Sequence, residues 1–143
     1  MALIHWTEDL KIGIGSIDEQ HQKLVAYINE LDEVMKHHDK DEIGLVLDKV
    51  ISYTVEHFEF EEGLMKEANY HLLEPHKKVH IHFIEKVAAF KQRFDAGQDI
   101  SEELLTMLEN WLVMHIRRND HGYIEAVKAA GLTDYQGSTI VRY

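Results

Sequence analysis

The sequence contains no cysteine and only one proline, is short of basic residues, and has no long apolar run. The first absence excludes disulfides, thiolate metal sites and cysteine nucleophiles, so any bound metal must rest on nitrogen and oxygen ligands. Fifteen Lys and Arg against 26 Asp and Glu leave a formal charge of −11, which repels a phosphate backbone and argues against nucleic-acid binding. No stretch approaches the ~20 apolar residues that a membrane span requires. The start of the chain meets Glu8, Asp9 and Lys11 before an apolar leader can develop, so a cytoplasmic protein is expected. With 143 residues the chain can build one core, and residues 1–143 are expected to form a single domain. The excess lies elsewhere: 11 histidines are present, and function is sought among them.

With almost no proline to break it, the sequence divides into four long helix-forming stretches, at about residues 17–36, 41–69, 75–95 and 102–130. Ser16 or Asp18 is expected to cap the first, and the polar segment from His37 to Lys40 separates it from the second. Pro75 suits the first turn of the third, Gly97 its C-terminal cap, and Ser101 the N-cap of the fourth, which ends near Gly131. Short connections force neighbouring helices to run antiparallel, so the fold class is all-α, an up-down-up-down four-helix bundle. An N-terminal extended arm, residues 1–15, carries Trp6, Leu10, Ile12 and Ile14 and is apolar enough to lie across the bundle. The tail, 132–143, has no helical period and is left unassigned.

The core-facing seams carry the chemistry. In helix 1, Ile17, His21, Leu24, Ile28, Leu31 and Met35 step alternately by four and three, as an inward stripe does. Helix 2 repeats the pattern through Val50, Thr54, His57, Glu61 and Leu64, and helix 3 through His76, His80, Phe83 and Val87. In helix 4 the stripe runs Leu104, Leu108, Trp111, His115 and then falls on Arg118 or Asn119, which a core rejects. Skipping one residue restores it at Asp120, Tyr123 and Val127, so the five-residue step from His115 to Asp120 predicts a π-bulge.

Antiparallel packing brings His21, His57, Glu61, His76, His80, His115 and Asp120 to one end of an otherwise apolar core. Left unpartnered, each such group costs on the order of 1–3 kcal/mol, more where it is charged, which marginal stability cannot absorb. One octahedral ion takes at most six ligands, so this set indicates two metals that share ligands, with Glu61 and Asp120 as the natural bridges. On ligand softness alone iron, manganese, copper and zinc all stay open.

Read in order, Ile17-Asp18-Glu19-Gln20-His21, His57-Phe58-x-x-Glu61-Glu62-x-x-Met65, Pro75-His76-x-x-x-His80-x-x-Phe83 and Trp111-x-x-x-His115-x-x-x-x-Asp120-x-x-Tyr123 resemble the hemerythrin family. The likeness runs from about Trp6 to Val127 and is most like the bacterial single-domain members. It implies a non-haem di-iron centre: His76, His80 and His115 on one iron, His21 and His57 on the other, with Glu61, Asp120 and an oxo or hydroxo group bridging. Dioxygen binds reversibly at an open position of the second iron in this reading. Phe58, Trp111 and Leu112 match family pocket positions, with Leu24 and Ile28 on the inner face nearby, and Tyr123 is placed to hydrogen-bond a bridging carboxylate. The implied role is an oxygen carrier, store or delivery protein for an oxygen-consuming enzyme. Two rivals stand beside it, a di-iron enzyme and an oxygen or redox sensor. The enzyme reading is weakened because such sites characteristically use Glu-x-x-His pairs, and the sequence contains none.

Overall fold

In the computed structural model, which describes residues 4–135, the chain forms helices α1 (Gly15–Met35), α2 (Lys40–Glu67), α3 (Leu73–Asp95), α4 (Ser101–Met114) and α5 (Ile124–Ala129), with no strand among the described residues. A five-residue π-helical turn, His115–Asn119, and a 3-10 turn, Asp120–Tyr123, join α4 to α5. The fourth rod of the bundle, expected over 102–130 with a π-bulge, is therefore one helical path in three winding states, the 3-10 turn being the one that periodicity did not announce.

Pairwise contacts fix the directions. Gln20 meets His57 while Lys49 pairs with Glu30, so α1 and α2 run oppositely. Glu62 meets His80 and Asp48 meets Lys91, which reverses α3 relative to α2. Trp111 stacks on Phe83 and Glu103 pairs with Arg93, which reverses α4 relative to α3. The up-down-up-down four-helix bundle follows, around a core that includes Leu24, Leu31, Leu47, Leu64, Leu104 and Leu108.

The connections use chemistry that short polar residues supply. Asp39 caps α2 by accepting from the amides of Asp41 and Glu42 at 3.1 and 3.2 Å. The α3 and α5 ends turn through Gly97 and Gly131 at φ 89° and 69°, so the Gln98 and Leu132 amides reach back to the Arg93 and Val127 carbonyls. Three capping expectations are corrected. α1 begins at Gly15, earlier than expected, so Ser16 and Asp18 lie inside its first turn. Asp18 instead accepts from the Ile12 and Gly13 amides at 2.8 and 3.1 Å, tying down the arm, and the Ser16 hydroxyl donates to the Tyr135 carbonyl. Ser101 is the first residue of α4, and the side chain that receives an amide there is Asp99.

From Ile4 on, the arm packs on the bundle with Ile4, Leu10, Ile12 and Ile14 buried and Trp6 partly so, and it is not extended throughout, since Glu8–Leu10 form a 3-10 turn. Asn29 of α1 closes a two-way clasp on it, accepting from the Ile4 amide at 2.8 Å and donating to the Ile4 carbonyl at 2.9 Å. Most of the tail left unassigned by sequence lies outside the described residues; at Tyr135 the ring meets Phe60 of α2 and the carbonyl accepts from Ser16 of α1.

Candidate metal centre

Each helix delivers its polar residues where its seam reaches the same end of the bundle. α1 contributes His21, α2 contributes His57 and Glu61 one turn apart, and α3 contributes His76 and His80 from its opening turns. The fourth rod needs the wider turn: the Asp120 amide is shared between the Ile116 carbonyl and the His115 carbonyl, the latter an i to i−5 bond, and the added residue carries the Asp120 side chain inward. The chain then tightens, and Asp120 and Tyr123 are both fully buried. The π-bulge expected from the five-residue step is present at that step.

All seven sequence-predicted residues are buried and meet in two groups whose candidate ligand atoms lie within 4.8 Å of one another. One group is His76, His80, His115, Glu61 and Asp120; the other is His21, His57, Glu61 and Asp120. The two carboxylates belong to both, and they divide their oxygens between them. Glu61 turns Oε1 to His80 Nε2 at 3.1 Å and Oε2 to His21 and His57 Nε2, both at 3.6 Å. Asp120 turns Oδ1 to His115 and His76 Nε2 at 3.0 and 3.2 Å, and Oδ2 to His21 Nε2 at 2.9 Å.

Whether these residues suit metal ions is answered by their unmet valences. Among the described residues, the buried side-chain polar atoms without a hydrogen bond are both His21 nitrogens, His76 Nε2, Glu61 Oε1 and both Asp120 oxygens. All of them belong to this cluster. Buried polar atoms are normally satisfied, so a knot of them facing one another, nitrogen and oxygen only, fits a pair of cations bound from within.

The electrostatics agree. Burial works against charge on Glu61 and Asp120, yet the surrounding imidazoles overcome it and hold both carboxyls well below the usual carboxylate range. Burial pushes His57 down to about 4, which keeps it neutral and its lone pair free for a ligand role. His21 is opposed by burial too, but the facing carboxylates of Asp120 and Glu61 raise it to about 9. Without cations, then, a proton on His21 partly balances the two carboxylates.

Around the centre sit residues that orient it. His57 donates from Nδ1 to Gln20 Oε1 at 2.7 Å, and His80 from Nδ1 to Glu62 Oε2 at 2.9 Å, so each ring presents Nε2 inward. The Tyr123 hydroxyl donates to Glu61 Oε2 at 2.7 Å, as expected of it. Gln20 and Glu62 escaped a search along the seams because each is the immediate neighbour of a seam residue. The signal that finds them is the need of a ligand imidazole for an acceptor at its second nitrogen. Among the other histidines, His5, His37, His38, His71 and His82 are exposed, whereas His121 is partly buried and folds back onto the Ile116 carbonyl at 2.8 Å.

Apolar side chains close the rest. Phe58 stacks on His80 at 3.7 Å and Trp111 on His115 at 4.5 Å, with Phe83 stacked on Trp111 behind them. Leu24, Ile28 and Leu112 are buried, and Trp111 is partly buried.

Comparison with known proteins agrees with this geometry. Residues 12–127 match the family described as the hemerythrin HHE cation binding domain. A bacteriohemerythrin of Stenotrophomonas maltophilia is 47% identical over 129 residues, 90% of this chain and 84% of that protein. A myohemerythrin of Theromyzon tessulatum is 31% identical over 118 residues, 82% of this chain and 88% of that one. A crystal structure of wild-type hemerythrin superposes with a TM-score of 0.84 at 30% identity, covering 88% of this chain and 98% of its own. Matched over residues 12–127 and by relatives across most of its length, the chain belongs to the hemerythrin family.

Proposed function

We propose that this protein binds dioxygen reversibly at a non-haem di-iron centre and serves as an oxygen carrier, store or delivery protein. His76, His80 and His115 would hold one iron and His21 and His57 the other, with Glu61, Asp120 and an oxo or hydroxo group bridging. The observation that carries the proposal is the division of the carboxylate oxygens: Glu61 and Asp120 each turn one oxygen to one imidazole group and the other oxygen to the second. Held by these residues, two irons would supply the reversible two-electron chemistry that dioxygen binding requires.

The residues then have separable tasks. The His21 side offers four protein ligands against five on the other, so an exogenous ligand has room there. Gln20 and Glu62 fix the tautomers of His57 and His80 and hence the inward lone pairs. Tyr123 holds the Glu61 carboxylate in place. Phe58, Trp111, Leu112, Leu24 and Ile28 keep water and its protons away from the bound ligand, which slows irreversible oxidation.

Binding is favoured over turnover because the donor set is rich in imidazole and contains no Glu-x-x-His pair. No helix among the described residues is long and apolar enough to cross a membrane. A cytoplasmic location, and an oxygen-consuming enzyme as the recipient of the dioxygen, complete the proposal. Metal analysis with visible spectra of the reduced protein before and after air tests it: two irons per chain and a reversible new charge-transfer band are expected. Fewer than two irons, or no such band, overturns the reading. A His115→Ala variant is expected to lose at least one iron and all oxygen binding.

A further inference from the structure

The bridging position of Asp120 depends on a turn that helices rarely make. A π-helical turn adds one residue to the winding, and in a regular α-helix Asp120, five residues past His115, would point away from the seam. Something must hold the wider turn against reverting. Asp120 cannot do so through its side chain, because that is fully buried among the imidazoles. The next side chain can. His121 is partly buried, reaches back five residues and places Nδ1 2.8 Å from the Ile116 carbonyl, inside the turn itself. A carbonyl only accepts, so Nδ1 carries the proton. The Ile116 oxygen is the i−4 acceptor that a regular α-helix would give the Asp120 amide, which here is shared with the His115 carbonyl, and the His121 bond competes for that oxygen in favour of the wider turn. Within the turn Arg117 also grips Asp9 of the arm through Nε and Nη2, at 2.7 and 2.6 Å, which ties the turn to the arm.

We infer that His121 is a positioning residue for the metal centre: its bond to the Ile116 carbonyl locks the π-turn and thereby sets the Asp120 carboxylate between the two imidazole groups. The role rests on the dinuclear reading for its functional consequence, but the locking itself is a property of the chain alone. It requires a donor at the Nδ1 position and nothing else of the imidazole.

Two substitutions separate donor from bulk. His121→Asn keeps an N–H close to the place of Nδ1, whereas His121→Leu keeps volume and removes it. The probes are ferrous ion in competition with a chelator, the visible and circular dichroism bands of the loaded site, and amide hydrogen exchange at residues 115–121 in the metal-free full chain. His121→Leu is expected to weaken metal affinity about 10–100-fold, the range for a lost orienting partner. It is also expected to shift the bands and speed exchange of the Asp120 amide, while His121→Asn stays within a few-fold of the parent on each measure. Parent-like values for His121→Leu overturn the inference, as does a His121→Asn variant as impaired as His121→Leu. If the parent protein itself fails to take up two ions, the dinuclear reading falls, and exchange in the metal-free variants still decides whether His121 locks the turn.

Discussion

Replacing Tyr123 by Phe removes one oxygen and leaves the ring, so it isolates the hydrogen bond to Glu61. That ring is fully buried and sits against His76 and Tyr70 with centroids at 5.8 and 6.2 Å, so packing is retained. In the metal-free protein the acceptor is a buried carboxylate held ionised by its surroundings, and a hydrogen bond to a charged group is worth about 1.5–3 kcal/mol. At about 2.1 cal/mol/K per residue of unfolding entropy, a chain of 143 residues loses roughly 3 °C of Tm per kcal/mol, so the metal-free variant should melt about 5–10 °C below the parent. With both ions bound the carboxylate charge is already neutralised, and the same bond should fall toward the about 0.5–1.5 kcal/mol of an uncharged one. Thermal melts followed at 222 nm, with and without metal, read both numbers. An unchanged Tm in the metal-free variant would refute the assignment of Tyr123, and an equal loss in both forms would refute the claim that the ions take over the charge of Glu61.

The metal-free protein should be most stable near pH 6.5. His57, lowered to about 4, favours the folded state fully above its ordinary value of 6.5 and loses that contribution as pH falls toward 4. His21, raised to about 9, favours the folded state below 6.5 and loses its contribution as pH rises through 9. Urea midpoints across pH 5 to 9 check this, and a flat profile would contradict the opposite shifts. Gly122→Ala should destabilise although alanine is the better helix former, because a Cβ there would stand 2.8 Å from the Tyr70 hydroxyl; Tyr70→Phe in the same chain should recover most of the loss of about 1–3 kcal/mol. A double-mutant cycle on Tm measures that coupling, and additive effects would dismiss the contact. Phe58→Ala removes a buried ring stacked on His80 and should cost about 3–5 kcal/mol, while shortening the lifetime of the oxygenated protein against irreversible oxidation; a lifetime equal to the parent's would remove Phe58 from the protective wall.

The inward stripes were readable because a bundle core tolerates polar residues only when something satisfies them, which makes His21, His57, Glu61, His76, His80 and His115 conspicuous at apolar positions. Asp120 was readable for a second reason: the stripe fails at Arg118 and Asn119 and resumes one residue late, and the structure answers with a π-helical turn. Helix starts were less legible. Asp18 and Ser16 have the chemistry of caps, but the arm and the tail compete for their oxygens, and a tertiary partner in either place lies outside what local sequence expresses. Gln20 and Glu62 were hidden similarly, since each acts through a nitrogen on another residue and neither occupies a seam.

This division follows from what each kind of residue must do. A ligand has to point into the core, so its position is dictated by helical period, and period is visible in one dimension. An orienting residue has only to reach the second nitrogen of an imidazole or a freed carbonyl, and many positions on neighbouring turns satisfy that. Glu62 illustrates the point: it shares a helix with Glu61, yet the two carboxylates diverge, one fully buried between the imidazole groups and the other partly exposed on the far side of His80. Adjacent residues on a helix point about 100° apart, so only one of two successive glutamates can lie in the seam. The other is left to receive the N–H of a ring whose opposite nitrogen faces the centre, and the consecutive Glu61-Glu62 pair thus supplies both sides of the His80 imidazole from a single turn of α2.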